Sequence, residues 1–194
     1  SALTMSNGFL MEQDLLQVNR EATLNRGQTA GPSDVFATRD GHVMCSVIGG
    51  YQFKRWCELV EAPDLAADAR FKDDDGRGRH GEVLSARMAE WCSSRTNEEA
   101  LAAMAAAKIP AGPVYSPQQA LDDDHIAAIG ALADVEYPTS DRPAKVTDFP
   151  VRMSADPGGI QQRAPLLGEH TDDVLGELGY TPQEIAELRA NAVI

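Results

Sequence analysis

Basic residues are scarce in this chain. Seventeen Lys and Arg stand against thirty Asp and Glu, a formal net charge of −13. A surface of that sign repels polyanions, which excludes nucleic acid and anionic membrane surfaces as partners. Long apolar runs are absent too: no stretch of eighteen apolar residues exists, and no basic region precedes an apolar run at the N-terminus. Neither a membrane span nor a signal segment is read from it. Cysteine is limited to Cys45, Cys57 and Cys92, an odd number at spacings that match no disulfide framework. That usage fits a reducing cytoplasm. No G-x-S-x-G or G-x-x-x-x-G-K string occurs, so a nucleophile elbow and a P-loop have no support.

What is present suffices for a folded protein. The 194 residues are 43% hydrophobic, enough for one core or two modest ones. Residues 35–38 and 43–48 are β-rich runs around Asp40-Gly41, a dipeptide that tolerates the positive φ of a tight hairpin turn. Phe53, Trp56, Cys57 and Val60 then recur at helical spacing and predict a helix over 51–60 that ends before Pro63. Asp73, Asp74 and Asp75 with Gly76 and Gly78 predict a polar loop, followed by a helix over about 81–93 that buries Leu84, Met88 and Trp91. Thr96 with Glu99 spells a capping box for an alanine-rich helix ending near Lys108. Residues 111–115 then return to the sheet, and Ser116, Pro117 and Gln119 start another helix. From 131 to 151 apolar residues alternate with prolines, the pattern of edge strands or an extended crossing segment, and 155–164 is a linker. No internal repeat is found.

The last thirty residues predict two short helices meeting at a corner. Val174, Leu175 and Leu178 put an apolar stripe on the first, and Gly179 ends it by taking the left-handed conformation. Thr181, Pro182 and Glu184 then supply a cap, a first-turn proline and a capping box, with Ile185 and Leu188 on the apolar face.

Most residues that could carry chemistry have an ordinary structural reading beside the chemical one. Cys57 and Cys92 fall in phase with apolar neighbours and read as small hydrophobes. His42 and Cys45 have a metal-compatible spacing but lack a second ligand pair, so no metal ligand is assigned. His170, beside Glu169 and Thr171, belongs at a helix start. Asp68 and Arg70 form a local ion pair while Phe71 packs inward, and Asp122, Asp123 and Asp124 read as a solvated helix end.

The literal strings go further than these patterns. "PLLGEHT" followed by "VLGELGY", "FATRDGHVMCSV" over 36–47, "DARF" over 68–71 and "KIPAGPVYSPQQAL" over 108–121 occur in the order and spacing of the class III CoA-transferases. The chain closely resembles the C-terminal half of this family, which includes formyl-CoA and carnitine CoA-transferases. The resemblance implies an α/β fold: a small α+β domain with a short antiparallel sheet and flanking helices, then an extended and helical segment returning to a larger domain. Three regions follow from it. Residues 1–30 are a helix and linker leaving an N-terminal domain, 31–130 the small domain, and 131–194 the return segment. Residues 2–19 resemble the helix after the family's catalytic aspartate, and Ser1 and Ala2 read as a cloning remnant.

The same resemblance carries the functional expectations. CoA passes from an acyl-CoA to a carboxylic acid through intermediates on an aspartate of the N-terminal half. No counterpart of that half is found here, so a fragment, a proteolytic product or a split subunit is expected, inactive alone and with no catalytic residue of its own. Coenzyme A thioester enters as substrate, and no tightly bound cofactor is expected. An interlocked homodimer, the missing half, acyl-CoA and carboxylate are the implied partners. Gly27, Gln28, Thr29, Ala30 and Gly31 fall where the family has a glycine-rich loop over the active site, though a plain interdomain turn is equally compatible with two glycines. Gly49 and Gly50 fall where the related α-methylacyl-CoA racemases carry an acid/base glutamate. Glycine moves no proton, which favours transfer over racemisation, and the same pair also serves a strand-to-helix turn. A racemase-like fragment and a standalone or split-subunit interaction module are the competing readings.

Overall fold

The computed structural model describes residues 2–194, and Ser1 lies outside the described residues. The chain divides into two units, Ser1–Tyr115 and Ser116–Ile194.

The first unit opens with α1 (Ala2–Met5) and α2 (Asn7–Leu16). No residue of α2 is buried, and Phe9 and Leu15 are 59% and 72% exposed. An isolated helix of this length is marginal in water. Arg20 folds back to pair with Glu12 on it.

Strands β1 (Ser33–Ala37), β2 (His42–Ser46) and β3 (Ala111–Pro113) form an antiparallel sheet in the order β1-β2-β3. The register pairs Ala37 with His42, so Thr38 to Gly41 make a wider connection than the tight turn that Asp40-Gly41 predicts. Gly41 is not among the residues with positive φ. Its place is close to a later helix: a Cβ there would meet the end of the Asn97 side chain, Nδ2, at 2.8 Å. The Asn97 backbone N–H donates to Asp40 at 2.7 Å, which ties the connection to the start of a later helix.

Five helices complete this unit: α3 (Gly50–Leu59), α4 (Pro63–Ala67), α5 (Asp74–Arg79), α6 (Gly81–Ser93) and α7 (Asn97–Ala106), with a 3-10 turn at Ala69–Phe71; α6 packs against β1 and α7 against β2 and β3. Val43 and Cys45 of β2 meet Trp56, Leu84, Met88 and Met104 in one cluster. Trp56 stacks on Phe53 at 5.6 Å and donates from Nε1 to Met88 Sδ at 3.2 Å. This satisfies its polar atom inside the core. On α6 Leu84 and Met88 are buried as the sequence predicts, but Cys92 takes the third inward position, while Trp91 is only partly covered and carries the Arg95 guanidinium 4.1 Å over its ring.

Two expectations hold at the caps and one fails. Asp68 accepts from Arg70 N and pairs with its guanidinium at 2.7 Å, and Phe71 is 1% exposed. Thr96 and Glu99 form the reciprocal capping box of α7. The polar loop read over Asp73 to Gly78 is helix α5 instead. Asp73 caps it by accepting from Gly76 N at 2.9 Å, Asp74 and Asp75 lie in its first turn, and Arg77 and Arg79 in its last. That charge order complements the helix dipole and outweighs the two glycines.

The second unit contains α8 (Pro117–Asp122), α9 (Asp124–Ala128), β4 (Leu132–Val135), β5 (Ala144–Thr147), α10 (Thr171–Glu177) and α11 (Pro182–Ala190). Asp123 accepts from Ile126 N at 2.8 Å, so the aspartate run is a cap between two helices and not merely a solvated end. β4 and β5 pair antiparallel, with Leu132 opposite Thr147; Pro138 and Pro143 lie in their connection and Pro150 follows β5. The corner of the tail is as the sequence predicts: Gly179 has φ +94°, and Thr181 with Glu184 closes a capping box behind Pro182. Among the described residues of this unit, only Val135 and Ile185 are buried hydrophobics.

Candidate functional site

The two glycine segments singled out in the sequence both belong to the first unit. Gly27 to Gly31 leads into β1. Gly27 N donates to Ser33 O at 2.6 Å, and Arg20 Nη1 donates to Gln28 O at 2.9 Å. The Gln28 amide in turn donates to Glu21 O at 2.7 Å and to Thr23 Oγ1 at 3.1 Å. Ala30 and Gly31 are buried, the Gly31–Pro32 peptide is cis, and Pro32 O accepts from Val47 N at 2.9 Å. These bonds lay the segment as a strap along the base of the sheet.

Gly49 and Gly50 follow β2. Gly49 takes φ +82°, a conformation that a residue with a Cβ rarely adopts, and Gly50 begins α3. A Cβ on Gly50 would meet nothing within 4 Å, so this turn is open to whatever lies outside it.

Helix α5 brings the two segments together. Asp74 at its start accepts from Gly49 N through both oxygens, at 2.9 and 3.1 Å. Three residues on, Arg77 donates to Asp74 Oδ1 from Nη2 at 2.6 Å and from Nε at 3.2 Å, and from Nη1 to Phe71 O at 2.9 Å. Its guanidinium lies 4.8 Å from the Phe53 ring centroid, and the side chain is 2% exposed. On the other flank, a Cβ on Gly31 would stand 3.1 Å from Arg77 O, and one on Gly78 would overlap Gln28 O. Burial raises the Asp74 carboxyl, but the Arg77 bond and the Gly49 N–H outweigh it and hold the group below the usual aspartate value.

The sequence reading missed this junction, although the signal was legible in Asp73-Asp74-Asp75 followed by Arg77 and Arg79. It also took G-x-G-x-x-G to be absent, which is incorrect, since Gly76 to Gly81 spells it. The structure removes the nucleotide-binding meaning. The string lies in α5 and the start of α6 with no strand before it, and its first two glycines fit against the carbonyls of Arg70 and Gln28.

Other chemical candidates lie apart. Cys45, Cys57 and Cys92 are free and buried. Burial pushes Cys45 up to about 12 and Cys57 and Cys92 up to about 11, so all three are neutral thiols at physiological pH. His42 is exposed and Cys45 buried on the opposite face of β2. Among the described residues no group of three or more His, Cys, Asp and Glu could hold a metal ion, and no helix is long and apolar enough to cross a membrane. In the second unit, Glu169 bonds the Arg163 guanidinium and accepts from Leu166 N at 2.7 Å, which lowers its carboxyl to about 2 and closes the loop 163–169. His170 directly precedes α10 without capping it and lines a cleft of about 410 Å³ with Leu166, Leu175 and Ile194.

The first unit is thus an α/β body whose candidate site offers backbone and shape, with the buried Arg77 already committed through the half-exposed Asp74 to α5. The chain belongs to CoA-transferase family III, whose profile it matches over residues 1–171. It is 31% identical over 196 residues to the succinyl-CoA–D-citramalate CoA-transferase of Chloroflexus aurantiacus, covering 99% of this chain and 48% of that protein. It is 35% identical over 158 residues to the succinyl-CoA:mesaconate CoA-transferase of Haloarcula marismortui, with 80% and 38% covered. A formyl-CoA:oxalate CoA-transferase of Rhodopseudomonas palustris is 31% identical over 143 residues, with 73% and 33% covered. The chain therefore spans between a third and a half of the length of these relatives. Its fold is similar to that of a CaiB/BaiF family protein from Brucella suis, with TM-score 0.62, 23% identity, and 90% of this chain and 45% of that one covered. A point mutant of Rv3272 from Mycobacterium tuberculosis superposes with TM-score 0.66 at 23% identity, over 88% of this chain and 43% of that one.

Proposed function

We propose that this chain is the C-terminal portion of a cytoplasmic acyl-CoA:carboxylate CoA-transferase. The observation that carries the reading is the family match over residues 1–171, joined to relatives named as CoA-transferases that align along as much as 99% of the chain. In the complete enzyme an aspartate outside these residues attacks the thioester carbonyl, forming a mixed anhydride and releasing CoA thiolate. The thiolate returns to the aspartyl carbonyl and expels the first carboxylate, and the acceptor carboxylate then repeats the sequence in reverse. Splitting the exchange this way replaces one difficult step by easier ones.

This chain's part is to bound the site. Anhydride and thioester intermediates are lost to water unless it is excluded. The Gly27–Gly31 strap and the open turn at Gly49–Gly50 supply a wall without titratable side chains of their own. A racemase reading lacks a proton carrier at Gly50. The complete protein is a homodimer in this reading, consistent with the exposed apolar side chains of α2.

The test is a CoA-transfer assay with succinyl-CoA and formyl-CoA donors, on the chain alone and on the chain combined with the N-terminal half of a family member. Transfer in the combination and none in the chain alone is the expected result. A properly folded combination without transfer to any carboxylate would favour an interaction module instead.

A further inference from the structure

Arg77 is the only buried charged side chain among the described residues, and the reaction proposed above makes no use of it. A guanidinium out of water is costly unless its donors are taken up. Here they are: Nε and Nη2 face Asp74, Nη1 faces Phe71 O, and the Phe53 ring covers one side. The partner carboxylate has a second task, since the same Asp74 holds the N–H of Gly49, the residue at positive φ in the open turn. The backbone of Arg77 meets the other segment. Gly31 packs against its carbonyl, and Gly78 beside it fits over Gln28 O. A core tie would need none of this. One helix of six residues holds one glycine segment through a side-chain ion pair and the other through backbone contact.

From this we infer that Asp74 and Arg77 are positioning residues that fix the Gly49–Gly50 turn against the Gly27–Gly31 strap, so that the two segments meet an acyl-CoA as one rigid wall. The inference rests on the proposed function, in which those segments face the substrate. It reaches beyond that reading by naming the pair that sets their separation.

The experiment uses the complete enzyme and four variants: Asp74→Asn, Arg77→Lys, the double variant Asp74→Asn with Arg77→Met, and Met104→Ala as a core control. The double variant is included because a single change that strands a buried charge can unfold the protein, whereas replacing both members of a buried pair is often tolerated. Amide exchange at 27–31 and at 49–50 is measured beside KM and kcat. In the double variant, exchange is expected to rise about ten-fold at both segments together, and KM for the acyl-CoA about ten-fold with a smaller fall in kcat. Arg77→Lys, which keeps the charge and loses the fork, falls between the double variant and the wild type. Met104→Ala, a core truncation on α7, raises exchange throughout and leaves KM unchanged. Exchange that rises at only one segment, or a folded double variant with wild-type KM, would overturn the inference. A wild-type enzyme without transfer activity would overturn the functional reading and the positioning role with it, and the exchange data would tell that outcome from a failed coupling.

Discussion

At the scale of single residues, the junction makes pH a probe of Asp74. Its carboxyl is held below its ordinary value by Arg77 and by Gly49 N–H against the opposing effect of burial. A depressed carboxylate contributes stability that is present above the unfolded-state value, about 3.9, and is lost as pH falls through the folded-state value. The difference in urea-denaturation stability between wild type and Asp74→Asn is therefore expected to be full at neutral pH and to close below about pH 4. A gap that stays constant down to acid pH would contradict the assignment. The glycines provide a second residue-scale contrast. Gly78→Ala drives a Cβ into Gln28 O and is expected to lower stability by about 1–3 kcal/mol. Gly50→Ala has open space at a helix start, and is expected to be neutral or stabilising by up to about 1 kcal/mol. Thermal unfolding of both variants checks the order, and equal losses would refute the packing argument.

At the scale of elements, legibility followed how local the cause was. The boxes at Thr96–Glu99, Ser116–Gln119 and Thr181–Glu184 all form, because a cap needs only residues within one turn. Thr96→Ala is accordingly expected to cost about 1 kcal/mol, read from the denaturation midpoint; no change would mean that α7 does not depend on its cap. Helix α5 was missed because Gly76 and Gly78 weigh against a helix in isolation. Their value appears only when the carbonyls of Arg70 and Gln28 approach, and those come from other parts of the unit. The hairpin connection failed for the same reason, since Gly41 answers to Asn97 on a helix far along the chain. The junction of strap and turn lies wholly in this non-local class. Sequence named Gly27, Gly31, Gly49 and Gly50 but gave no means of placing them on one helix.

At the scale of the whole molecule, the distribution of buried surface bears on what the chain can do. The first unit holds a continuous core around Trp56 and Met88, while the second buries only Val135 and Ile185 among its described hydrophobics. Little apolar burial means little to offset the entropy of ordering. The second unit is held chiefly by caps, by the Arg163–Glu169 and Arg189–Asp172 pairs and by one strand pair. The formal charge of −13 also makes the chain a poor holder of an anionic CoA by itself. Both features agree with a chain that shapes a site completed by other residues of its enzyme. The most direct measurement is intact-protein mass spectrometry after incubation with an acyl-CoA, run beside the transfer assay on the chain alone and in combination with the N-terminal half of a relative. The predicted result is an unmodified mass and no turnover for the chain alone, with turnover and an adduct mapping to the other half in the combination. An acyl or CoA adduct on any residue of this chain, accompanied by turnover, would contradict it.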